Sequence, residues 1–401
     1  MLKTYKYRLY PTKKQTEKLD WTLETCRILY NSCLIDKKHH YEQTGKGLSR
    51  IDQQKILVSD KKNITYLKDV HSQVLQEVLF RVERAYSAFF RRLKDKNGKA
   101  GYPRFKNYGR YDSITYTQSG FEITGGKLAL SKIGHIKLKQ DREINGVIKT
   151  CAIKKETDKW YVCFSVEYTP VKKPIPDKMV GIDVGINPFA AFSDGLVINN
   201  PKHIAKSEEK LKKKQRQLSS KTKGSNNRKK AKVIIARLHK KVSNQRKDFH
   251  HKESRKVVDT CGYIAVEDLQ IRNMVKNHNL AKSISDAGWG EFVSFIAYKA
   301  EEAGCYVRKV NPRNTSKTCS VCGYIHSDMD LSIRKWICPV CNTVHDRDIN
   351  ASINILNEAL RQELPEFTLG ETGSMDDIAY SNTCALKSIP SLNQEAPLRQ
   401  T

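Results

Sequence analysis

Two short apolar runs in this chain each hold a single acid, and nothing else in the sequence constrains the fold as tightly. Residues 179–185 read Met-Val-Gly-Ile-Asp-Val-Gly, and residues 263–267 read Tyr-Ile-Ala-Val-Glu. Continuous apolar runs of this length suit strands covered on both faces, as in the middle of an α/β sheet. A carboxylate there is costly unless something pairs with it. A third acid, Asp348, follows His345-Asp346-Arg347 and opens Ile-Asn-Ala-Ser-Ile-Asn-Ile-Leu at 349–356, the start of a helix. A divalent metal is the usual partner of such a set, and two ions held by carboxylates cleave phosphodiesters. Taken singly, each acid also has an ordinary reading. Asp183 caps a turn at Gly185, Glu267 is an exposed strand end, and Asp348 is a helix N-cap. Asp346 competes with Asp348 for the third place, and spacing does not choose between them.

Directly ahead of that third acid stand two Cys-x-x-Cys pairs, Cys319 with Cys322 and Cys338 with Cys341, fifteen residues apart. Each pair can place two thiolates on one tight turn, and two such turns complete a tetrahedral site. Gly323 follows the first pair, where such a turn needs positive φ. Four protein ligands leave no open position, so the spacing predicts one structural Zn²⁺. His326 and His345 are the alternative ligands.

The chain carries 72 Lys+Arg against 43 Asp+Glu over 401 residues, a formal charge of +29. A surface that positive attracts polyanions, so nucleic acid is the expected partner. The excess is densest in residues 201–260, with 21 basic and five acidic side chains. Leu211, Leu218, Ile234, Leu238 and Val242 recur there at helical spacing, which predicts a basic helical arm along a phosphate backbone. Tyrosines interleave with Lys and Arg at Tyr5, Tyr7, Tyr10, Tyr102, Tyr108, Tyr111 and Tyr116; about half are expected to fill a core and the rest to suit base stacking. No run approaches the roughly twenty apolar residues of a membrane span. The first residues lack a signal-peptide core. The seven cysteines outside the two pairs are scattered, as in reduced proteins. A cytoplasmic, nucleoid-associated protein is therefore expected. The absence of Gly-x-x-x-x-Gly-Lys-Ser/Thr argues against P-loop chemistry.

Along the chain, Tyr5, Tyr7 and Leu9 alternate with polar residues as in a half-buried strand, and Thr12 is placed to cap a helix. Helical spacing then runs through residues 13–95. Turn chemistry at Asn97-Gly98 and at Gly101-Tyr102-Pro103 precedes short strands at 113–117, 127–130, 135–139, 147–154 and 160–169, the spacing of a small antiparallel barrel. Three prolines within 170–176 mark a linker. Beyond it, strands at 179–185, 189–192, 196–199, 263–266 and 306–310 alternate with helices, one through Trp289, Phe292, Phe295 and Ile296 to Gly304. That is the order of an RNase H-like α/β fold. After Leu364 the tail turns polar and is expected to be flexible.

Together these residues resemble the TnpB (OrfB) family, the RNA-guided endonucleases of insertion-sequence transposons, related to type V CRISPR effectors. The resemblance runs to about residue 360. It is carried by Tyr-Lys-Tyr-Arg-Leu-Tyr-Pro-Thr at 5–12, Gly-Tyr-Pro-Arg-Phe-Lys at 101–106 and Gly-Ile-Asp-Val-Gly at 181–185. Val-Glu-Asp-Leu at 266–269, Thr315-Ser316, both cysteine pairs and Asp-Arg-Asp-Ile-Asn-Ala at 346–351 complete it. Ser352 and Asn342 depart from the family pattern, where Ala and Gly are common, and neither removes a ligand.

The resemblance implies a multidomain α+β protein with an N-terminal wedge β-barrel (1–12 and 96–175) and an inserted helical recognition lobe (13–95). A RuvC-like nuclease domain (176–363) would follow, with a zinc ribbon (315–345) inserted, and then the tail (364–401). It also implies that Asp183, Glu267 and Asp348 form the acidic triad holding two Mg²⁺ ions, which favours Asp348 over Asp346. The implied partners are a guide RNA from the transposon end, double-stranded target DNA next to a short transposon-adjacent motif, and the partner transposase of the same element. Base pairing to the guide would supply sequence specificity. The rival readings are a strand-transferring transposase and a catalytically silent RNA/DNA-binding regulator.

Overall fold

The computed structural model describes residues 1–95, 100–171, 173–330 and 332–363. The turn expected at Asn97-Gly98 and the tail expected from 364 lie outside the described residues. In chain order the first elements are β1 (Leu2–Tyr10), α1 (Lys13–Thr44), α2 (Arg50–Asn63), α3 (Ser72–Lys94), β2 (Ser113–Tyr116), β3 (Phe121–Thr124), β4 (Lys127–Leu130), β5 (Gly134–Lys139), β6 (Val147–Glu156) and β7 (Lys159–Glu167). Then come β8 (Met179–Val184), β9 (Ala190–Phe192), β10 (Val197–Ile198), α4 (His203–Ser219), α5 (Asn226–Thr260), β11 (Tyr263–Glu267), α6 (Ile271–Met274), α7 (His278–Ala287) and α8 (Trp289–Ala303). The last are β12 (Tyr306–Val310), β13 (Lys335–Ile337), β14 (Val344–Asp346) and α9 (Arg347–Glu363). No helix among the described residues is long and apolar enough to cross a membrane.

The chain divides into two compact units. One comprises residues 1–178, 200–262 and 271–306; the other comprises 179–199, 263–270 and 307 onward. The first unit is built on a seven-stranded sheet in the order β2-β6-β7-β1-β5-β4-β3. Period-two alternation sends Tyr5, Tyr7 and Leu9 of β1 inward, where they join Val74, Leu75, Val78, Leu79 and Val82 of α3 in one core. Thr12 forms a capping box with Gln15 at the start of α1, as its position predicts. Among the described residues no pairing joins β2 to β3, so the sheet keeps two edges where the strand spacing suggested a closed barrel. Strand β3, only four residues long, was not legible from the sequence. In α4 only Leu211 is buried, and in α5 the buried positions begin at Val242. The preceding turns of α5 therefore display lysine and arginine to solvent.

The second unit has a five-stranded sheet in the order β10-β9-β8-β11-β12. Strand β8 runs antiparallel to β9 and parallel to β11, while α9 packs across β8, β9 and β11. The apolar runs are covered as expected: Val180, Ile182, Ile264 and Ala265 have no exposure at all. Tyr263 and Ala265 meet Ile355 and Ala359 of α9 in a common cluster. Gly181 lets the helix approach this closely, because a Cβ there would lie 2.0 Å from the Ser352 carbonyl oxygen.

Candidate metal centre and nucleic-acid surface

The backbone brings the three acids to one face of the five-stranded sheet. Alternation puts Asp183 on the same face as Gly181, which is the face α9 covers. The parallel register pairs Val266 with Ile182, so the next residues on each strand, Glu267 and Asp183, end adjacent strands side by side. Asp348 lies in the first turn of α9, one helical turn before Ser352 at the Gly181 crossing. A turn of helix rises about 5.4 Å and two strand residues advance roughly 6.6 Å, so Asp348 and Asp183 leave that crossing at similar heights.

Their electrostatics show how closely the three are set. Burial, and then the charges of Glu267 and Asp348, push Asp183 up to about 8. Burial also raises Glu267, against a hydrogen bond from Thr315, and raises Asp348 against the charge of Arg334. Only Asp183 is raised by the other two acids, and three carboxylates so placed offer an oxygen donor set suited to a hard divalent cation. The oxygens are not drawn fully together, however. Among the described residues, the cysteine quartet is the one group of three or more such side chains with all ligand atoms within 4.8 Å. Arg334 holds Asp348 from outside, its Nη1 lying 3.2 Å from each carboxylate oxygen. Arg334 carried no sequence signal, since it stands in an irregular segment between the cysteine pairs. Asp346 has a different task. Its Oδ1 accepts from the backbone N–H groups of Asp348 and Ile349, which caps the start of α9.

Cys319, Cys322, Cys338 and Cys341 meet as their spacing predicts. The Cys319–Cys341 and Cys322–Cys338 sulfur pairs are 3.6 and 3.5 Å apart. Sulfurs about 2.3 Å from a tetrahedral zinc ion lie roughly 3.8 Å from one another, so the donors fit that ion, whereas a disulfide would bring two of them to about 2.0 Å. The two turns are equivalent. Gly323 N donates to Cys319 O with φ +78° at the glycine, and Asn342 N donates to Cys338 O with φ +58°. Asn is the side chain that tolerates this left-handed position next best to Gly, so the departure at 342 keeps the turn. His345 Nε2 lies 3.0 Å from Cys319 Sγ, as an outer partner of the thiolate, and His326 packs edge-on against Trp336. The ten cysteines among the described residues are free.

In the first unit the basic arm is tied down by acids of the β6–β7 hairpin, with Lys240 2.8 Å from Glu156 and Arg237 2.6 Å from Asp158. A cavity of about 850 Å³ is lined by Lys3, Lys6, Arg142, Arg255 and Lys299, against Glu301 and Glu302. Of the interleaved tyrosines, Tyr5, Tyr7, Tyr111 and Tyr116 are buried, while Tyr10, Tyr102 and Tyr108 face solvent. Their division into core and surface matches the expectation.

Comparison with known proteins adds an independent line. A "Putative RNA-guided DNA endonuclease" of Streptomyces pristinaespiralis is 34% identical over 366 residues, covering 89% of each chain. The chain belongs to the TnpB (OrfB) family. The "Putative RNA-guided DNA endonuclease InsQ" of Escherichia coli K12 is 33% identical over 376 residues, covering 88% of this chain and 92% of that protein. The OrfB_IS605 family, described as "Probable transposase", matches residues 161–278, and the Cas12f1-like TNB domain matches residues 289–355. Among solved structures, that of the mini-RNA-guided endonuclease CRISPR-Cas_phi3 aligns at TM-score 0.46 and 11% identity, covering 90% of this chain and 92% of that one. That likeness is too distant to set the fold by itself.

Proposed function

We propose that the protein is an RNA-guided, metal-dependent DNA endonuclease of a transposon, cutting target DNA beside a short transposon-adjacent motif. The observation that carries the proposal is the convergence of Asp183, Glu267 and Asp348 on the α9 face of the sheet, in a family whose relatives are named RNA-guided DNA endonucleases. The strand order β10-β9-β8-β11-β12, with β11 parallel to β8, supports an RNase H-like, RuvC-type assignment for the second unit. On this reading the seven-stranded sheet corresponds to the wedge and the helices within 13–95 to the recognition lobe. Residues 315–345 form a zinc ribbon with Zn²⁺ on the four cysteines. The positive charge of the first unit holds guide RNA and target backbone, and base pairing reads the sequence.

Asp183, Glu267 and Asp348 would hold the metal. Two Mg²⁺ ions bound there would supply an activated water and stabilisation of the leaving oxygen. The chain's own contribution is to present three carboxylate oxygen sets on a rigid sheet and helix, to shield them from bulk water, and to balance their charge with Arg334. The decisive experiment isolates the protein with its co-purifying RNA, adds Mg²⁺ and a DNA matching that RNA, and compares Asp183→Ala, Glu267→Ala and Asp348→Ala. Each variant should retain the RNA and lose cutting; an Asp183→Ala protein that cuts at the full rate sinks the assignment. The "Probable transposase" description of the matching family favours one rival, strand transfer by the protein itself. Joining of supplied transposon ends without RNA would establish that rival instead.

A further inference from the structure

Residues 315–320 form a strap that touches the metal-binding acids at one end and the cysteine cluster at the other. Thr315 is 8% exposed, and its Oγ1 donates to Glu267 Oε1 at 2.6 Å. Its own carbonyl accepts from Asn354 Nδ2 at 2.8 Å. Three residues on, the Thr318 carbonyl accepts from both Asn350 Nδ2 and Asn354 Nδ2 at 2.7 Å, and Ser320 N donates to Asn350 Oδ1 at 2.9 Å. Cys319 sits between those last two bonds. Asn350 and Asn354 are one turn apart and so share a face of α9, the helix whose first turn carries Asp348. Amides on a covered helix face are costly unless bonded, and here both are spent on the strap. Packing alone accounts for those backbone bonds. It does not account for a threonine hydroxyl directed at one oxygen of Glu267, a contact that fixes the rotation of the carboxylate.

We infer that Thr315 is a positioning residue: its hydroxyl orients Glu267 while its carbonyl is fastened to the helix of Asp348, so the strap leading to Cys319 sets the spacing at which the two acids receive a divalent cation. The inference rests on the reading of Asp183, Glu267 and Asp348 as metal-binding acids. It makes zinc occupancy and cation affinity at the acids interdependent although the two sites share no ligand. Groups that orient metal ligands in this manner commonly change affinity by about 10- to 100-fold when removed.

The test uses the full-length, zinc-loaded protein and Mn²⁺ as probe, with the free ion followed by its electron paramagnetic resonance signal, so that no cleavage is needed. Thr315→Val keeps the side-chain shape and removes the donor; its Mn²⁺ affinity should fall about tenfold or more while zinc content stays whole. Thr315→Ser restores the hydroxyl and should bind within about twofold of wild type, a rescue that loss of packing alone would not give. Asn354→Ala releases the other end of the strap and should also weaken Mn²⁺ binding, which keeps the inference testable if the valine variant fails to fold. Wild-type affinity in folded Thr315→Val, or equal weakening by Val and Ser, overturns it. Asp183→Asn separates the two levels of the argument. Unchanged Mn²⁺ binding in that variant removes the metal-site reading itself; lost binding there, with full binding in Thr315→Val, removes only the role of Thr315.

Discussion

Replacing Asp183 with Asn should make the Mg²⁺-free protein more stable, and by an amount that grows with pH. Burial and two neighbouring carboxylates push the folded carboxyl up to about 8, whereas an unfolded chain would release that proton near 3.9, about four units lower. The sign follows from linkage: a raised acid is neutral in the fold and ionised in the unfolded chain. Folding therefore takes up a proton between those values, and stability falls by about 1.4 kcal/mol for each pH unit climbed. At pH 7 the penalty reaches a few kcal/mol, and at pH 5 about 1–2 kcal/mol. Asparagine carries neither charge nor titration, so its advantage over aspartate should widen by roughly 2–3 kcal/mol from pH 5 to pH 7. Urea unfolding read by hydrogen exchange in peptides covering β8 and β11 isolates the second unit. The buffer should lack Mg²⁺ and chelator alike, so that the proposed zinc on the four cysteines is kept. Added Mg²⁺ should then stabilise the wild type by mass action and leave Asp183→Asn unmoved. An advantage that is flat with pH, or that shrinks as pH rises, would mean Asp183 is already ionised in the fold, and the crowding of the three acids would be refuted.

Gly181→Ala should cost about 3 kcal/mol or more, because the new methyl meets the Ser352 backbone oxygen instead of a yielding side chain. It should also weaken Mn²⁺ binding although no ligand is touched; an unchanged melting temperature would contradict the close crossing of β8 and α9. Cys338→Ser should lower zinc content and release the β13–β14 pairing, read as a fluorescence change from the buried Trp336; full zinc content in that variant would argue against the four-sulfur site. Replacing the exposed Lys229, Lys230 and Lys232 of α5 with Ala should flatten the salt dependence of RNA binding by about 0.7 in log–log slope for each phosphate no longer neutralised. An unaltered slope would place the RNA elsewhere.

What the sequence conveyed depended on how local the signal was. Cys319, Cys322, Cys338 and Cys341 were legible because each pair makes its own turn and the ligand chemistry demands four. The strands around Asp183 and Glu267 were legible because an acid inside an apolar run is costly, and Gly304 ended α8 where its left-handed φ of +80° requires it. The choice between Asp346 and Asp348 was not readable from spacing, since it depends on which carboxylate turns back to cap α9. Arg334 was silent, and Thr315 entered only as part of a family motif with no role attached, for the same reason: each is bonded to a partner on another strand or helix, 14 and 48 residues away. In α5 the periodic apolar positions overstated burial. Ile234 is 42% exposed, because the contacts of these first turns fall on other sides of the helix, with Arg237 and Lys240 held by the β6–β7 hairpin.

Strand β14 ends at Asp346 and α9 begins at Arg347, so no loop separates that strand from the helix of the third acid. The Arg347 N–H to Arg334 carbonyl bond, 2.8 Å long, closes that junction. A residue inserted between Val344 and Asp348 would thus be passed straight into the helix as a rotation of about 100°, swinging the acid away from the sheet. The irregular stretch over residues 324–330 has no such gearing. Length variation among natural versions of this cysteine-bearing segment is therefore expected to collect on its first side and to be nearly absent from its second.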